Sequence, residues 1–147
     1  MTMESLKSFM KRRKMRGNTA KGNAFEEEVA EELRKIGWIV DVTKLARRFV
    51  RTRTGVRWIT EKGDYFEALD IIAIRKDAAP VLLIQATTDR GMLSEKKRKI
   101  DDKIGGWAPG RVCMVATRPI SGAGIEFHQQ IKDGWEALGG IEALDFS

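Results

Sequence analysis

Two apolar runs that lie close together in the sequence place the strongest limit on the fold. The runs "ALDIIAIR" (68–75) and "VLLIQATT" (81–88) are apolar at consecutive positions, not only at alternate ones. Strands with this pattern are covered on both faces, as in the centre of a sheet that carries helices on each side. The connector "KDAAP" between them has the composition of a turn. The sequence therefore predicts two central strands of a covered β-sheet.

The segment before these strands predicts a helix, a strand and a hairpin. "NAFEEEVAEELRK" (23–35) has acids in its early turns, basic residues in its last turn and Gly37 after it, as expected for a helix. "WIVDVTKL" predicts a strand. "RRFVRTRTGVRWIT" predicts an arginine-rich hairpin that turns near Thr54-Gly55.

The segment after them predicts one more helix and more sheet. "SEKKRKIDDKIGG" is expected to form a helix with Ser94 as its N-cap and Gly105-Gly106 at its end. "RVCMVATR" predicts a buried strand, and Asp133-Gly134 favours a hairpin in the tail, with a helix as the alternative. The expected fold class is α/β, with a central mixed β-sheet flanked by helices. We expect a single domain over residues 21–147, preceded by a basic arm or short helix over residues 1–20.

Polar side chains interrupt the two central strands. Gln85 and Thr87 lie two positions apart and therefore on one face of the second run. In the first run, Asp70 is predicted to share a face with Ala68, Ile72 and Ile74. An ionised carboxylate is costly to bury unless it is paired or bound to a cation. If the strands are neighbours, the three polar side chains can meet on that face.

A glutamate of the first helix can join this set. Phe25, Val29, Leu33 and Ile36 recur at helical spacing, and Glu26 lies nearest to that stripe among the five glutamates of the helix. Carboxylate and amide oxygens suit Mg²⁺, which can activate water and neutralise charge on a phosphodiester. The alternative is structural, for example a bond from Asp70 to the preceding "GDYFEA" loop.

Basic residues are concentrated in two segments. Residues 1–21 contain seven Lys or Arg and one acid, whereas the rest of the chain contains 20 of each, so the formal net charge of +6 arises from the leading segment. A second group has no acid among its members, which are Lys44, Arg47, Arg48, Arg51, Arg53 and Arg57. Such patches suit a polyanion, most often nucleic acid. A solvated tail and a solubilising hairpin are the alternative.

Other sites are excluded by composition. The chain has one cysteine, Cys113, in an apolar run, and one histidine, His128, so neither an internal disulfide nor a zinc cluster is possible. No nucleophile motif supports a catalytic triad. The basic start lacks the apolar segment of a signal peptide, and no run approaches the ~18 apolar residues of a membrane span. We therefore expect a soluble, cytoplasmic protein of a cell or a virus.

Three stretches resemble the PD-(D/E)XK nuclease superfamily, particularly its archaeal and phage Holliday-junction resolvase branch. "KGNAFEEEVAEELRKIGWIV" is similar to the branch's opening, in which a glutamate follows a Lys-Gly pair, and it places that glutamate at Glu26. "ALDIIAIR" is similar to the strand that bears the superfamily's aspartate, here Asp70. "VLLIQATT" resembles the strand of the (D/E)-x-K element. The likeness covers roughly residues 21–117 and implies a restriction-endonuclease-like fold.

The chain departs from this pattern at two positions. Gln85 stands where the superfamily has an acid, and Thr87 where it has a lysine. Gln85 can still offer a carbonyl oxygen, but Thr87 cannot replace an ammonium group that stabilises the transition state. Substitutes from the following segment are Arg90, Lys96 and Lys97, for which a solvated or phosphate-facing role is the alternative.

The resemblance implies a Mg²⁺- or Mn²⁺-dependent endodeoxyribonuclease of recombination and repair, active as a homodimer on branched DNA. Its catalytic positions would be Glu26, Asp70, Gln85 and Thr87, the first three around the metal. The expected DNA-binding residues hold the phosphate backbone and are Lys11, Arg12, Arg13, Lys14, Arg16, Lys21, Arg47, Arg48, Arg51, Arg53, Arg57, Lys96 and Lys97. One alternative is a nuclease fold without catalysis that binds DNA or recruits a protein. A weaker one is an RNA-binding or RNA-processing protein.

Overall fold

The computed structural model describes residues 24–43, 45–62 and 64–145, and for residues 45–50 and 57–62 it describes the backbone. Helix α1 covers residues 24–35. The strands are β1 (Ile39–Val42), β2 (Leu45–Thr52), β3 (Gly55–Lys62), β4 (Ile71–Arg75), β5 (Ala78–Thr87), β6 (Arg111–Thr117), β7 (Glu126–Ile131) and β8 (Gly134–Gly139). Helix α2 (Leu93–Lys103) follows a 3-10 turn (Arg90–Met92), and a second 3-10 turn (Ile141–Leu144) follows β8. The predicted arm over residues 1–20 lies outside the described residues.

Six strands form one mixed sheet in the order β1-β4-β5-β6-β7-β8. Strands β5 and β6 are parallel, and every other neighbouring pair is antiparallel. Since parallel neighbours need a crossover connection, α2 lies between β5 and β6 in the chain. The prediction of an α/β domain with a central mixed sheet is confirmed, and the tail forms the hairpin β7–β8 and not the alternative helix.

The arginine-rich segment forms a two-stranded sheet of its own. Strands β2 and β3 pair antiparallel from Leu45↔Lys62 to Thr52↔Gly55. The turn falls at Arg53-Thr54, one position before the predicted Thr54-Gly55, and Gly55, which begins β3, has a φ of 143°, a conformation that favours glycine. The hydroxyl of Thr52 donates to the carbonyl of Gly55 at 3.0 Å and closes the turn.

The hydrophobic core lies on both faces of the six-stranded sheet. Ile84 and Met114 belong to a cluster with the α1 side chains Phe25, Val29, Ala30 and Leu33. Leu83 and Val115, one position along each strand, belong to a second cluster with Ala68, Leu69 and Ile100. Because successive strand residues point to opposite faces, α1 covers one face of the sheet and α2 covers the other.

Both helix ends use glycine, but the start of α2 differs from the prediction. After α1, Gly37 has a φ of 98° and donates to the carbonyl of Arg34 at 3.1 Å; after α2, Gly105 has a φ of 104°. The prediction of Ser94 as N-cap is wrong, since α2 begins at Leu93 without a side-chain cap. The 3-10 turn runs directly into the helix, and its cap is Asp89, which accepts from the backbone N–H of Gly91 at 2.9 Å.

A tight turn leads into β4. The backbone of Tyr65 exchanges hydrogen bonds with that of Leu69, at 2.8 and 3.0 Å. Phe66 and Glu67, at its tip, have φ angles of 53° and 63°. The phenol of Tyr65 donates to the carboxylate of Asp41 in β1. The turn is therefore held by its own hydrogen bonds and by the bond to the edge strand β1.

Among the described residues, no helix has the length and apolar composition needed to cross a membrane.

The titration of Tyr65 reports on this turn, because it is the chain's one tyrosine. Burial, followed by the hydrogen bond to Asp41, raises the pKa of Tyr65 from 10.0 to about 12. We expect tyrosinate absorbance to develop near pH 12 in the folded chain and at the lower, ordinary pKa in urea. The folded chain holds the phenol proton more tightly than the unfolded chain does. The protonated phenol therefore stabilises the fold fully below the unfolded pKa, and this contribution is lost as the pH rises through the folded pKa. An Asp41→Asn variant that titrates like the parent chain would contradict the assignment.

Candidate functional site

The predicted site residues lie where β5 and β6 end and β4 begins. Gln85 and Thr87 lie at the C-terminal end of β5 and pair in register with Val115 and Thr117 of β6. Asp70 immediately precedes β4. The carboxyl ends of two parallel strands thus lie beside the entry of an antiparallel one. This arrangement places polar side chains at one end of the central strands of an otherwise apolar sheet. We call this end of the strands the Asp70–Gln85 edge.

Asp70 is buried at this edge, with 1% of its surface exposed. Its Oδ2 accepts from the backbone N–H of Ala86 at 2.9 Å, and its own N–H donates to the carbonyl of Ile84 at 2.9 Å. The carboxylate therefore continues the β4–β5 ladder beyond the first residue of β4. The prediction that Asp70 is buried is confirmed, but the prediction that it lies inside the strand is wrong, because β4 begins at Ile71 and Ala68 belongs to the turn.

Gln85 is buried beside Asp70, with 4% of its surface exposed. Its Oε1 has no hydrogen-bond partner among the described residues. A buried acceptor left unbonded costs about 1–3 kcal/mol, so such atoms usually serve a ligand, a cation or a bound water. Since Leu83 packs on the α2 side, Gln85 faces the same way. The amide oxygen of Gln85 is therefore available on the α2 side of the sheet. The next residue, Ala86, donates its N–H to Asp70.

Thr87 is half-buried and bonded to the turn after the strand. Its Oγ1 accepts from the backbone N–H of Asp89 at 3.2 Å and lies 3.4 Å from the carbonyl of Asp89. The hydroxyl thus orders the connection to α2. Thr87 carries no positive charge, so any positively charged side chain on this face must come from another helix, strand or turn.

Glu26 reaches the same end of the sheet from the other face. It is 5% exposed on α1, and the preceding Phe25 stacks under the guanidinium of Arg118, 4.6 Å from the ring centroid. Because Arg118 directly follows β6, the start of α1 lies near the end of that strand. The inward orientation of Glu26 is confirmed. A single face shared by Glu26 and Gln85 is not found, since α1 and Gln85 lie on opposite sides of the sheet.

The donor set at this edge is two carboxylates and one amide. Among the residues that the structure describes, no group of three or more His, Cys, Asp and Glu side chains is placed to hold a metal ion. Since Glu26 comes from the α1 side and Gln85 from the α2 side, a cation bound by Glu26, Asp70 and the amide oxygen of Gln85 would have to lie beyond the strand ends, with water or substrate oxygens completing its shell. The chemistry of these oxygens fits Mg²⁺ and not a soft metal.

The predicted DNA-binding residues are described only in part. Arg51 and Arg53 are exposed around the β2–β3 turn, and Lys96 and Lys97 are half-exposed on α2. The side chains of Arg47, Arg48 and Arg57, and all of Lys11, Arg12, Arg13, Lys14, Arg16 and Lys21, lie outside the described residues.

No protein-family model, curated protein or solved structure matches this chain.

A polar cluster beside Thr87 was not predicted. Arg90 Nη1 donates to the carboxylate of Glu126 and to the carbonyl of Arg118. Lys97 Nζ lies 3.1 Å from His128 Nδ1, and His128 Nε2 lies 3.7 Å from Glu126 Oε2. These four residues, which we call the Lys97–His128 cluster, occupy the α2 face at the end of β6 and the start of β7. The alternation of Glu126, His128 and Gln130 in "EFHQQI" was the sequence signal for a polar face.

The cluster shifts the protonation of its members. Burial is the main cause of the lowered pKa of Lys97 and of the lowered pKa of His128, and for His128 the charge of Lys97 adds to it. The hydrogen bond from Arg90 lowers the pKa of Glu126. Glu126 is thus held as an anion by Arg90. His128 is held neutral beside a half-buried cation.

Proposed function

We propose that this chain is a metal-dependent DNA endonuclease that acts on branched DNA, with a restriction-endonuclease-like fold and Glu26, Asp70 and Gln85 around the cation. The observation that carries the proposal is the unbonded, buried Oε1 of Gln85 beside the buried carboxylate of Asp70. It is supported by the basic hairpin and by the resemblance of three stretches to the resolvase branch. A homodimer with two such sites, one for each strand of a junction, belongs to the same proposal.

Each residue of the proposed site would have a separate role. Glu26, Asp70 and Gln85 would hold the cation, which supplies an activated water and neutralises charge on the phosphodiester. The bond from Ala86 N–H keeps Asp70 in one orientation, and a preorganised ligand loses less entropy on binding. Thr87 would order the strand end and not act on the phosphate. The positive charge that Thr87 lacks would come from α2 or from the 3-10 turn before it.

A second candidate is a nuclease fold that binds DNA without cutting it. The hydroxyl of Thr87 is engaged by Asp89 and brings no ammonium group to the site. Asp70 already has a structural role as a hydrogen-bond acceptor for β5. These two observations favour a binding module if the oxygen set is too weak to retain a metal.

A cleavage assay decides between the two. Labelled four-way junction, nicked, single-stranded and linear DNA are incubated with the chain and Mg²⁺, Mn²⁺ or EDTA. The endonuclease proposal expects cutting that requires a metal, stops with EDTA and favours the junction. Tight, salt-sensitive binding without cutting under any metal condition would establish the binding module instead.

Binding by the hairpin is tested by the Arg51→Gln/Arg53→Gln double variant. Both side chains are exposed, and each neutralised phosphate contributes about 0.9 to the slope of log K against log salt. We expect weaker binding of all DNA forms and a salt slope reduced by about 1 to 2. Fluorescence anisotropy at several salt concentrations measures both.

The control is the Lys76→Gln/Lys132→Gln double variant, which removes the same charge. Lys76 and Lys132 are exposed after β4 and β7, at the edge of the sheet opposite the site. An equal loss of slope in both double variants would show that net charge, and not the hairpin, governs binding.

A further inference from the structure

The Lys97–His128 cluster contains a cation without a counterion. Lys97 is half-buried, and among the described residues no carboxylate lies within ion-pair distance of its ammonium. Its contacts are the neutral ring nitrogen of His128 at 3.1 Å and the face of Trp135, 5.9 Å from the ring centroid. A half-buried ammonium group that donates to a neutral imidazole has further donors, and no anion among the described residues accepts from them.

The neighbouring buried atoms are donors as well. Because an ammonium only donates, Nδ1 of His128 is the acceptor, and the neutral ring then carries its proton on Nε2. His128 is 8% exposed, and its Nε2 has no hydrogen-bond partner within the described part of the chain, since Glu126 at 3.7 Å is too distant. The hydroxyl of Thr117, fully buried and opposite Glu126 in the sheet, is also unbonded. Two unbonded groups, His128 Nε2 and the Thr117 hydroxyl, thus lie on the same face as the ammonium of Lys97, which has donors beyond the one that His128 accepts.

The charges of the cluster select the sign of the ligand. Glu126 is neutralised by Arg90, which leaves the charge of Lys97 in excess while His128 is neutral. His128 can add a second positive charge on protonation. An anion with several oxygens can accept from Lys97, His128 and Thr117 at once, whereas the excess positive charge of Lys97 repels a cation. A phosphate group has this chemistry.

We propose that Lys97, His128 and Thr117 form a phosphate-binding subsite that holds a nucleic-acid backbone phosphate next to the Asp70–Gln85 edge. This inference rests on the proposed function, since it takes the phosphate from DNA. Thr87, Arg90, Lys97 and Glu126 are half-exposed, whereas Thr117 and His128 are buried. The subsite supplies the positive charge that Thr87 does not.

The test uses His128 as a single reporter, because it is the chain's one histidine. The imidazole titration is followed by NMR in the free chain, with a short duplex DNA, and with inorganic phosphate, in the absence of divalent metal. A bound phosphate favours the imidazolium, so we expect DNA to raise the titration midpoint of His128. The charged groups that face the ring in the free chain are Lys97, Arg90 and Glu126.

The variants are Lys97→Met and, as a matched control, Lys99→Met. Lys99 is half-exposed on the same helix, but its Nζ lies 4.0 Å from Asp64 Oδ2. The control therefore removes the same charge from another side of α2. Lys97→Met is expected to weaken DNA binding about tenfold and to reduce the DNA-induced change at His128. Lys99→Met is expected to retain that change.

The outcomes separate this inference from the proposed function. DNA that binds tightly but leaves the His128 midpoint unchanged overturns the subsite and leaves the endonuclease proposal standing. A midpoint that moves with inorganic phosphate but not with DNA assigns the site to a free phosphate and overturns the backbone source. Absence of any DNA binding overturns both proposals.

Discussion

Replacement of Asp70 by asparagine is expected to abolish metal-dependent cleavage while DNA binding is retained. Asparagine has the same shape and can still accept from Ala86 N–H through its amide oxygen, so the β4–β5 ladder is preserved. It lacks the negative charge that holds a cation. A metal contributes several kcal/mol to stabilising a phosphoryl transition state, so the cleavage rate should fall about 100-fold or more. Initial rates on labelled junction DNA and anisotropy on the same DNA measure the two effects.

The control for this variant is Asp102→Asn. Asp102 is exposed on α2, so its replacement removes the same charge without touching the buried edge. Circular dichroism establishes that both variants are folded. Glu26→Gln should behave like Asp70→Asn if the two carboxylates share a cation. Cutting at the parent rate by a folded Asp70→Asn chain would place the chemistry elsewhere.

The central sheet could be predicted because its signals are local. The runs around Ile71 and Ile84 are apolar at consecutive positions, and in short runs next to turn residues this pattern is typical of a strand covered on both faces. The inward tilt of Glu26 followed from a helical wheel, since α1 has one apolar stripe. Propensity and pattern agree with the tertiary structure in these elements.

The start of α2 and the position of Asp70 could not be predicted in the same way. Ser94 is a good N-cap by propensity, but the cap is Asp89, five residues earlier, because a 3-10 turn extends the helical path. Asp70 was placed in a strand because apolar residues flank it on both sides. The turn from Tyr65 to Leu69 requires two residues with positive φ, and Phe66 and Glu67 do not signal that conformation.

The Lys97–His128 cluster depends on contacts that no local pattern contains. Lys97 and His128 are separated by 31 positions, and Arg90 and Glu126 by 36. The sequence offers Lys97 as a substitute for the missing lysine or as a DNA-binding residue, and His128 as the chain's one histidine, but nothing in it links the two. The register of β6 with β7, which places His128 opposite Val115, brings the four residues together. Sheet register is a tertiary property, so the cluster becomes visible only in the fold.

Replacement of Phe127 by alanine is expected to give the largest loss of stability. Phe127 is fully buried in the α1-side core, and it pairs with Ala116 of β6 and Gly139 of β8. Truncation of a buried phenylalanine costs about 3–5 kcal/mol through lost burial and the cavity that remains. Most domains have only about 5–15 kcal/mol of stability, so a large share would be lost. Urea unfolding should show a lower midpoint with an unchanged m-value.

The matched control is Phe66→Ala, which makes the same truncation at a side chain that is 68% exposed. Surface substitutions usually change stability by less than about 0.5 kcal/mol, so its midpoint should stay near that of the parent chain. Equal midpoints for the two variants would show that Phe127 does not anchor β7. Because Glu126 and His128 flank Phe127 and face the α2 side, loosening β7 should also disturb the contacts of Lys97. The His128 titration of Phe127→Ala, measured where that chain is still folded, should therefore move toward its ordinary pKa as the ring gains access to water.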